Sequence, residues 1–406
     1  MNAERPADPA DIALPDPAAS GLEHVVVVTM ENRSFDHLLG WLPGADGRQA
    51  GLSFPDRAGV ARPTQALAPD FQGCGRPNPD HSYAGGRVAY NGGACDGWLR
   101  AGANDSYALG YYTAPDLAFL GRAAPAWTVC DRYFAATLTE TYPNRLYLHA
   151  AQTDRLDDSL GLTGLPTIWD RLAAAGLRGR YYFSDLPFVL LWGLRHLPIS
   201  RPLDAFFAAC AAGTLPQVSY VDPSFLGESN GTSDDDHPPS DIRAGEAFLA
   251  RIYAAVTTSP AWPRTLLVIT FDEWGGFFDH VPPPMAPIPE ASRAAGDTDG
   301  RLGFRVPTLL IAPWARRGYV AHEVYDHTSI LRLIAWRWGL APLTVRDATA
   351  GNLATALDFE RADLSAPAIT APAGPFGGPC LSTEETIATK WESLRRTMGV
   401  AWPGWL

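Results

Sequence analysis

The sequence predicts an α/β fold, with a mainly parallel sheet covered by helices on both faces. Short β-branched, apolar runs alternate along the chain with amphipathic segments of helical period. The strongest of these runs are apolar throughout rather than alternating, as strands buried on both faces must be. The first is residues 24–30, HVVVVTM. Residues 178–183 and 217–221 are weaker strands, 264–271 (RTLLVITF) is strong, and 307–312 (PTLLIA) follows. Helices are expected over 167–177, 241–256 and 328–338, with apolar residues three and four apart. Ser382, with Glu385 three residues on, forms a capping box that opens a last helix.

Two stretches lack periodicity and are rich in Gly, Pro and Asp: 42–115 and 281–303. Loops of that length are functional or mobile in compact domains. Residues 341–381 read as a surface wrap. With no internal repeat and no linker, the expected organisation is a disordered tail over 1–20 and one domain over 21–406 carrying long insertions.

The 406 residues are 46% hydrophobic and 19% charged, enough for a sizeable core without disulfides or structural metal. A net charge of -12 weighs against nonspecific binding to nucleic acid or to anionic membrane. The basic residues are Arg except for Lys390. No apolar run reaches the roughly 18 residues of a transmembrane segment. Residues 1–20 lack the basic and apolar regions of a signal peptide, so the sequence as it stands reads as cytoplasmic. None of the five cysteines lies in a C-x-x-C pair, which weighs against a zinc thiolate site. Cys74 and Cys95 share one loop-rich stretch and could pair in an oxidising compartment.

Polar residues with chemical potential collect at strand ends. The run 24–30 leads directly into Glu31-Asn32, and 264–271 into Asp272-Glu273. Ligands of open α/β sheets bind beyond the carboxyl ends of strands. Either pair alone also fits an ordinary strand-end turn. Side by side, three carboxylates and an amide would repel without a cation, and hard oxygen donors suit Ca²⁺, Mg²⁺ or Mn²⁺, or Zn²⁺ with imidazole added. Thr141, in TETYPNR, precedes Pro143 at the start of a helical pattern. A hydroxyl there lies beside free backbone N–H groups, where phosphate binds. Five histidines, His37, His81, His237, His280 and His327, each follow an aspartate. An Asp-His pair is often only a solvated turn. Five of them on loops at one sheet edge would suit contact with phosphate oxygens and protonation of a leaving group.

ENRSFDHLLG, TETYPNRLYLHAA, DDDHPPSDIRAGEAFLARIYAA, VITFDEWGGFFDHVPPP and the block from VPTLLIAPWARR to WRWGL occur in that order. Together they resemble the bacterial phosphoesterase family that includes phosphatidylcholine-hydrolysing phospholipases C, plant non-specific phospholipases C and a related acid phosphatase. The resemblance covers most of residues 22–340. It implies an α/β/α sandwich like that of the alkaline phosphatase superfamily and a divalent metal ion of unspecified identity. It assigns Glu31, Asn32, Asp272 and Glu273, with Thr141, to that metal, and makes Thr141 the nucleophile of a phosphothreonine intermediate. It places His81 and His237 near the phosphate, and His196 matches a further imidazole only weakly. Thr141, His81, His237 and His280 form the expected catalytic set, and His37, Asn144 and His327 the expected substrate contacts. The substrate would be a phospholipid or small-molecule phosphate ester, cleaved as a diester. A broad phosphomonoesterase is the alternative. A non-catalytic binding protein would have lost Thr141 or an acidic ligand, and neither is lost. The export signal of the secreted relatives is not seen, although family analogy admits a secreted or periplasmic protein. Tyr83, Tyr90, Trp98, Tyr107, Tyr111 and Tyr112 could cage a choline by cation–π contact, or pack against their own loop, which is preferred.

Overall fold

The computed structural model describes residues 14–380. Eight strands form the central sheet: β1 His24–Met30, β2 Thr128–Cys130, β3 Gly179–Phe183, β4 Ser200–Pro202, β5 Val218–Asp222, β6 Thr265–Phe271, β7 Leu309–Ile311 and β8 Tyr319–Ala321. Their order across the sheet is β8-β2-β7-β6-β1-β5-β3-β4. Only β7 runs against its neighbours; every other pairing in this sheet is parallel. The sheet is therefore mixed and mostly parallel, as the alternating pattern implies.

Successive side chains of a strand face opposite sides of a sheet. Val25, Val26, Val27 and Val28 of β1 are all fully buried, as is every residue of β6, so both faces are covered. The cover is helical. The main helices are α1 Tyr83–Tyr90, α2 Thr141–Ala150, α3 Ile168–Ala174, α4 Leu203–Ala212, α5 Ile242–Thr257 and α6 His327–Trp338. α2 packs on α6 and α3, while α4 packs on α5. α5 buries Phe248, Leu249, Ile252, Tyr253 and Val256 along one stripe, with Asp241 capping its first turn through the Arg243 N–H at 3.0 Å. Thr167 and Asp170 make the reciprocal cap of α3. Gly339, at φ 64°, ends α6 in the left-handed conformation that glycine adopts most easily.

Several expectations change. The short strands β2, β4 and β8 carry too few residues to show a period and are not evident in the sequence. Residues 42–115 are a packed layer rather than an open loop. They contain α1 and four short paired strands, and they bury Phe54, Trp98 and Leu109 against Trp274, Phe278 and Phe304. Of the stretch 1–20 expected to be unstructured, residues 1–13 lie outside the described residues. Pro17–Ala19 form a 3₁₀ turn against α6, and Leu14 packs on the core. The helix expected from Ser382 also lies outside the described residues.

The cysteine pairing differs as well. Cys74 is bonded to Cys380, with Cα atoms 5.4 Å apart, and Cys95 is a free, buried thiol. Cys95 turns into the apolar cluster beneath the insertion, while Cys74 faces the C-terminal wrap. The Gln72 side chain repeats that join: its Nε2 donates to the carbonyls of Gly378 at 2.7 Å and Gly231 at 3.1 Å. The bridge thus ties the insertion to the wrap and to the segment around residue 231. Alkylation of the unfolded, unreduced chain should label Cys95, Cys130 and Cys210 alone, with a Cys74–Cys380 peptide in the digest. Cys380→Ala should cost about 2–5 kcal/mol in urea unfolding. A Cys74–Cys95 peptide, or five reactive thiols, would contradict this pairing.

Candidate active site

β1 and β6 pair in register from His24 opposite Thr265 to Met30 opposite Phe271, so both strands end at one level. Glu31-Asn32 and Asp272-Glu273 emerge there side by side, and all four are essentially sealed from solvent. Asn32 adopts φ 56°, a left-handed conformation that Asn tolerates better than most residues. Gly275 is required where the next turn passes: a Cβ there would lie 2.0 Å from the Asn32 carbonyl oxygen.

Asp272, Glu273 and the nearby Asp235 are each held by one oxygen. Asp272 Oδ1 accepts the N–H groups of Asn32 at 3.0 Å and Glu273 at 2.7 Å. Glu273 Oε2 accepts the Gly275 N–H at 2.7 Å. Asp235, whose carbonyl accepts the Glu31 N–H at 2.8 Å, holds its Oδ1 against the Ser233 hydroxyl and the His237 N–H. The other oxygens, Asp272 Oδ2, Glu273 Oε1 and Asp235 Oδ2, are buried without a hydrogen-bond partner, as are Asn32 Oδ1 and His237 Nδ1. Buried polar atoms are rarely left unmade, because each costs about 1–3 kcal/mol. Four oxygens with free lone pairs, beside an imidazole, are the donor chemistry of a hard or borderline divalent cation. Burial raises the carboxyl pKa of Glu31 well above its ordinary value; Arg145 opposes the shift, and Asp272 and Asp235 add to it. Burial, then Asp272, does the same to Glu273, and burial pushes Asp235 up to about 7. A bound cation would reverse that pressure.

Thr141 is the first residue of α2, with Glu140 rather than Thr141 at the cap position. Its hydroxyl donates to Glu31 Oε2 at 3.1 Å. At 9% exposure it is the part of the group that opens toward solvent, where Glu31 is at 1% and Asp272 at 0%. The expected free N–H groups around it are partly spent: the Tyr142 N–H donates to Asp158 Oδ1 at 2.7 Å, and Pro143 has none. Asn144 is fully buried. Its Nδ2 donates to the carbonyls of Thr139 and Glu140, and its Oδ1 accepts the Thr137 N–H, so it pins the turn that presents Thr141.

The histidines divide. His81 Nε2 accepts from Asn32 Nδ2 at 3.2 Å and lies 3.9 Å from Glu273 Oε1. The His237 ring centroid is 6.5 Å from that of His81. Burial and then the neighbouring His81 push the His237 pKa down to about 3, so it is a neutral imidazole at ordinary pH. His327 lies behind the acids: its Nε2 donates to the Asp272 carbonyl at 2.6 Å, and its ring is fully buried. His37 is packed 3.9 Å from the Phe277 ring, with its nitrogens on the Gly110 carbonyl and Arg33. His196 is buried beside Thr167 and Trp192. The aromatic cage is not formed: Trp98, Tyr107 and Tyr112 are core residues, and Arg87 and Arg301 cover the faces of Tyr83 and Tyr90.

His280 belongs to a separate group. Its Nδ1 contacts Asp36 Oδ2 at 2.5 Å, and ligand atoms of Asp36, Asp279 and His280 lie within 4.8 Å of one another. Among the described residues no other acid, histidine or cysteine trio meets that spacing, so Glu31, Asp272 and Glu273 stand wider apart. The trio has the spacing of a possible ion site, yet it already holds a cation. Arg305, fully buried, contacts Asp36 Oδ1 at 3.1 Å and Asp279 Oδ1 at 3.0 Å.

Three participants escape a sequence reading. Asp235 sits in an acidic run that looks like a solvated turn. Arg145 reads as one more helical polar residue, and Asp222 as the end of a weak strand. A signal for Asp222 exists, since β5 also ends on an acid.

Burial opposes the charge on His280, but the hydrogen bond and charge of Asp36, with Asp279, outweigh it and raise the pKa. A raised folded pKa adds stability that is fully present below the unfolded value near 6.5. It is lost as pH rises through the folded value. His280→Ala should therefore lose more urea stability at pH 5 than at pH 9. An equal loss at both would show that the ring acts by packing alone.

Residues 22–188 and 192–341 match the Phosphoesterase family. Non-specific phospholipase C1 of Arabidopsis thaliana is 32% identical, over 82% of this chain and 70% of that protein. Phospholipase C A of Mycobacterium tuberculosis is 30% identical over 83% of this chain and 77% of its own, and the non-hemolytic phospholipase C of Pseudomonas aeruginosa is 32% identical over 83% and 57%. Among solved structures, an alkaline phosphatase superfamily protein from Vibrio parahaemolyticus aligns at TM-score 0.42 and 10% identity, over 82% of this chain and 70% of that one. With a family match across most of the chain, this protein belongs to the Phosphoesterase family and is a hydrolase of phosphoric ester bonds.

Proposed function

We propose that this chain is a metal-dependent phosphodiesterase of phospholipase C type, with Thr141 as nucleophile. The observation that carries the reading is the Thr141 hydroxyl, 3.1 Å from Glu31 Oε2 at the open side of a buried acid group with unpartnered oxygens. Glu31, Asn32, Asp272 and Glu273 would hold the ion, with Thr141 beside it. When bound, it supplies charge stabilisation and a lowered pKa for the hydroxyl.

The remaining steps belong to the chain. Thr141 Oγ1 attacks phosphorus in line, the bond to the alcohol oxygen breaks, and a phosphothreonine forms. Its proton has an acceptor in Glu31 Oε2. His81 and His237 border the same space: the neutral His237 ring would hydrogen-bond a phosphoryl oxygen, and His81 would hand a proton to the leaving alcohol. Water then releases the phosphoryl group from Thr141. Positioning and charge stabilisation supply most of the acceleration in such transfers.

Charge favours the diester over the monoester. The guanidinium groups nearest the acids are already spent, Arg145 on Glu31 and Asp222, and Arg33 on the Asp236 carbonyl. A monoester dianion would need more compensation than a diester monoanion. The relatives named above are phospholipases C, which fits a phospholipid headgroup as substrate. The Cys74–Cys380 bridge supports a secreted or periplasmic setting, since such bonds persist in oxidising compartments.

Thr141→Ala should lower turnover by on the order of 10³-fold or more with the fold intact by circular dichroism. Full activity in that variant would remove the nucleophile. Assays on p-nitrophenylphosphorylcholine and p-nitrophenyl phosphate, with and without added divalent ions, should favour the choline ester and require the ion. Hydrolysis of the monoester alone would turn the reading to a phosphomonoesterase. Unchanged activity in ion-free, chelator-treated protein would remove the metal.

A further inference from the structure

β5 lies on the opposite side of β1 from β6, and it too ends on an acid, Asp222. The proposed reaction gives this buried carboxylate no task. Its Oδ1 accepts from Arg145 Nη1 at 3.2 Å, and its Oδ2 accepts a short hydrogen bond from the Tyr181 hydroxyl. The Tyr181 oxygen is itself fixed, because it accepts the Phe188 N–H at 3.0 Å.

Arg145 lies on α2, four residues after Thr141, so the two share one helix face a turn apart. Its Nε and Nη2 lie 2.7 and 2.5 Å from Glu31 Oε1, and Nη2 also donates to the Thr29 carbonyl at 3.1 Å. The two oxygens of Glu31 are thereby divided. Oε1 faces the guanidinium, and Oε2 receives the Thr141 hydroxyl at 3.1 Å. A guanidinium left to itself grips a carboxylate through both oxygens. Here Nε and Nη2 both meet Oε1, and Asp222, holding Nη1 on the far side, fixes the plane of the guanidinium in that orientation.

We propose that Arg145, Asp222 and Tyr181 form a positioning relay that restrains Arg145 from taking both oxygens of Glu31, so keeping Oε2 for the Thr141 hydroxyl. The inference rests on Thr141 being the nucleophile. Tyr181 holds Asp222, Asp222 turns Arg145, and Arg145 sets the rotation of Glu31. None of the three touches substrate.

The test uses Asp222→Asn and Tyr181→Phe in the full chain, which change charge or one hydroxyl and little volume. Each should lower kcat on p-nitrophenylphosphorylcholine by on the order of 10- to 100-fold. KM should stay within about threefold and Tm within a few degrees, with the ion content per chain by mass spectrometry unchanged. The double variant should be no slower than Asp222→Asn alone, because both act through one guanidinium. Wild-type kcat in either single variant would overturn the relay. So would a kcat loss that follows Tm, or one that follows loss of the ion. Thr141→Ala in parallel separates the two claims: an active Thr141→Ala removes the nucleophile, while an inactive one beside a fully active Asp222→Asn removes only the relay.

Discussion

Three neighbouring parallel strands, β6, β1 and β5, bring Asp272, Glu31 and Asp222 to one edge of the sheet, and all three carboxylates are out of water. Burying one unpaired carboxylate is costly, and burying several at one edge compounds the cost. The surroundings answer that cost locally. Backbone N–H groups hold one oxygen of Asp272 and of Glu273, and Arg145 bridges Glu31 to Asp222. What remains is a set of oxygens fixed in direction and without partners. Such a set is rigid before any ligand arrives, which is the condition for selective binding and for charge stabilisation without reorganisation.

The elements around this edge support that arrangement. Asn144 ties the turn before α2 so that Thr141 meets Glu31. His327 holds the Asp272 carbonyl from behind. Residues 42–115 bring His81 to Asn32 from a separate packed layer, and the Cys74–Cys380 bond anchors that layer to the wrap. Arg305 performs, for Asp36 and Asp279, the neutralisation proposed for a cation at the strand ends. Two acid groups only a few residues apart in sequence are thus balanced in different ways.

Much of the site could be read from the chain because strand ends are local features. An apolar run of seven residues followed by Glu-Asn or Asp-Glu marks both the strand and the edge from which its acids project. The histidines could not be sorted in this way. All five follow an aspartate, yet His81 and His237 lie beside the strand-end acids, His327 holds the Asp272 carbonyl, His37 packs on Gly110, and His280 pairs with Asp36. A dipeptide does not encode which side of a loop layer it faces. Cys95 looked as near to Cys74 as any cysteine, but burial turned it inward.

Amphipathic period and β-branched runs by themselves determined the mostly parallel sheet, the helices over 167–177, 241–256 and 328–338, and the two acid-bearing strand ends. These are short-range consequences of side-chain shape and hydrophobicity. The strand order, the union of Cys74 with Cys380, the arrival of Asp235 beside Glu31 and the bridge from Arg145 to Asp222 were decided by tertiary packing. Each joins residues tens to hundreds of positions apart. Such contacts depend on which faces the core buries together, and no local pattern carries that information.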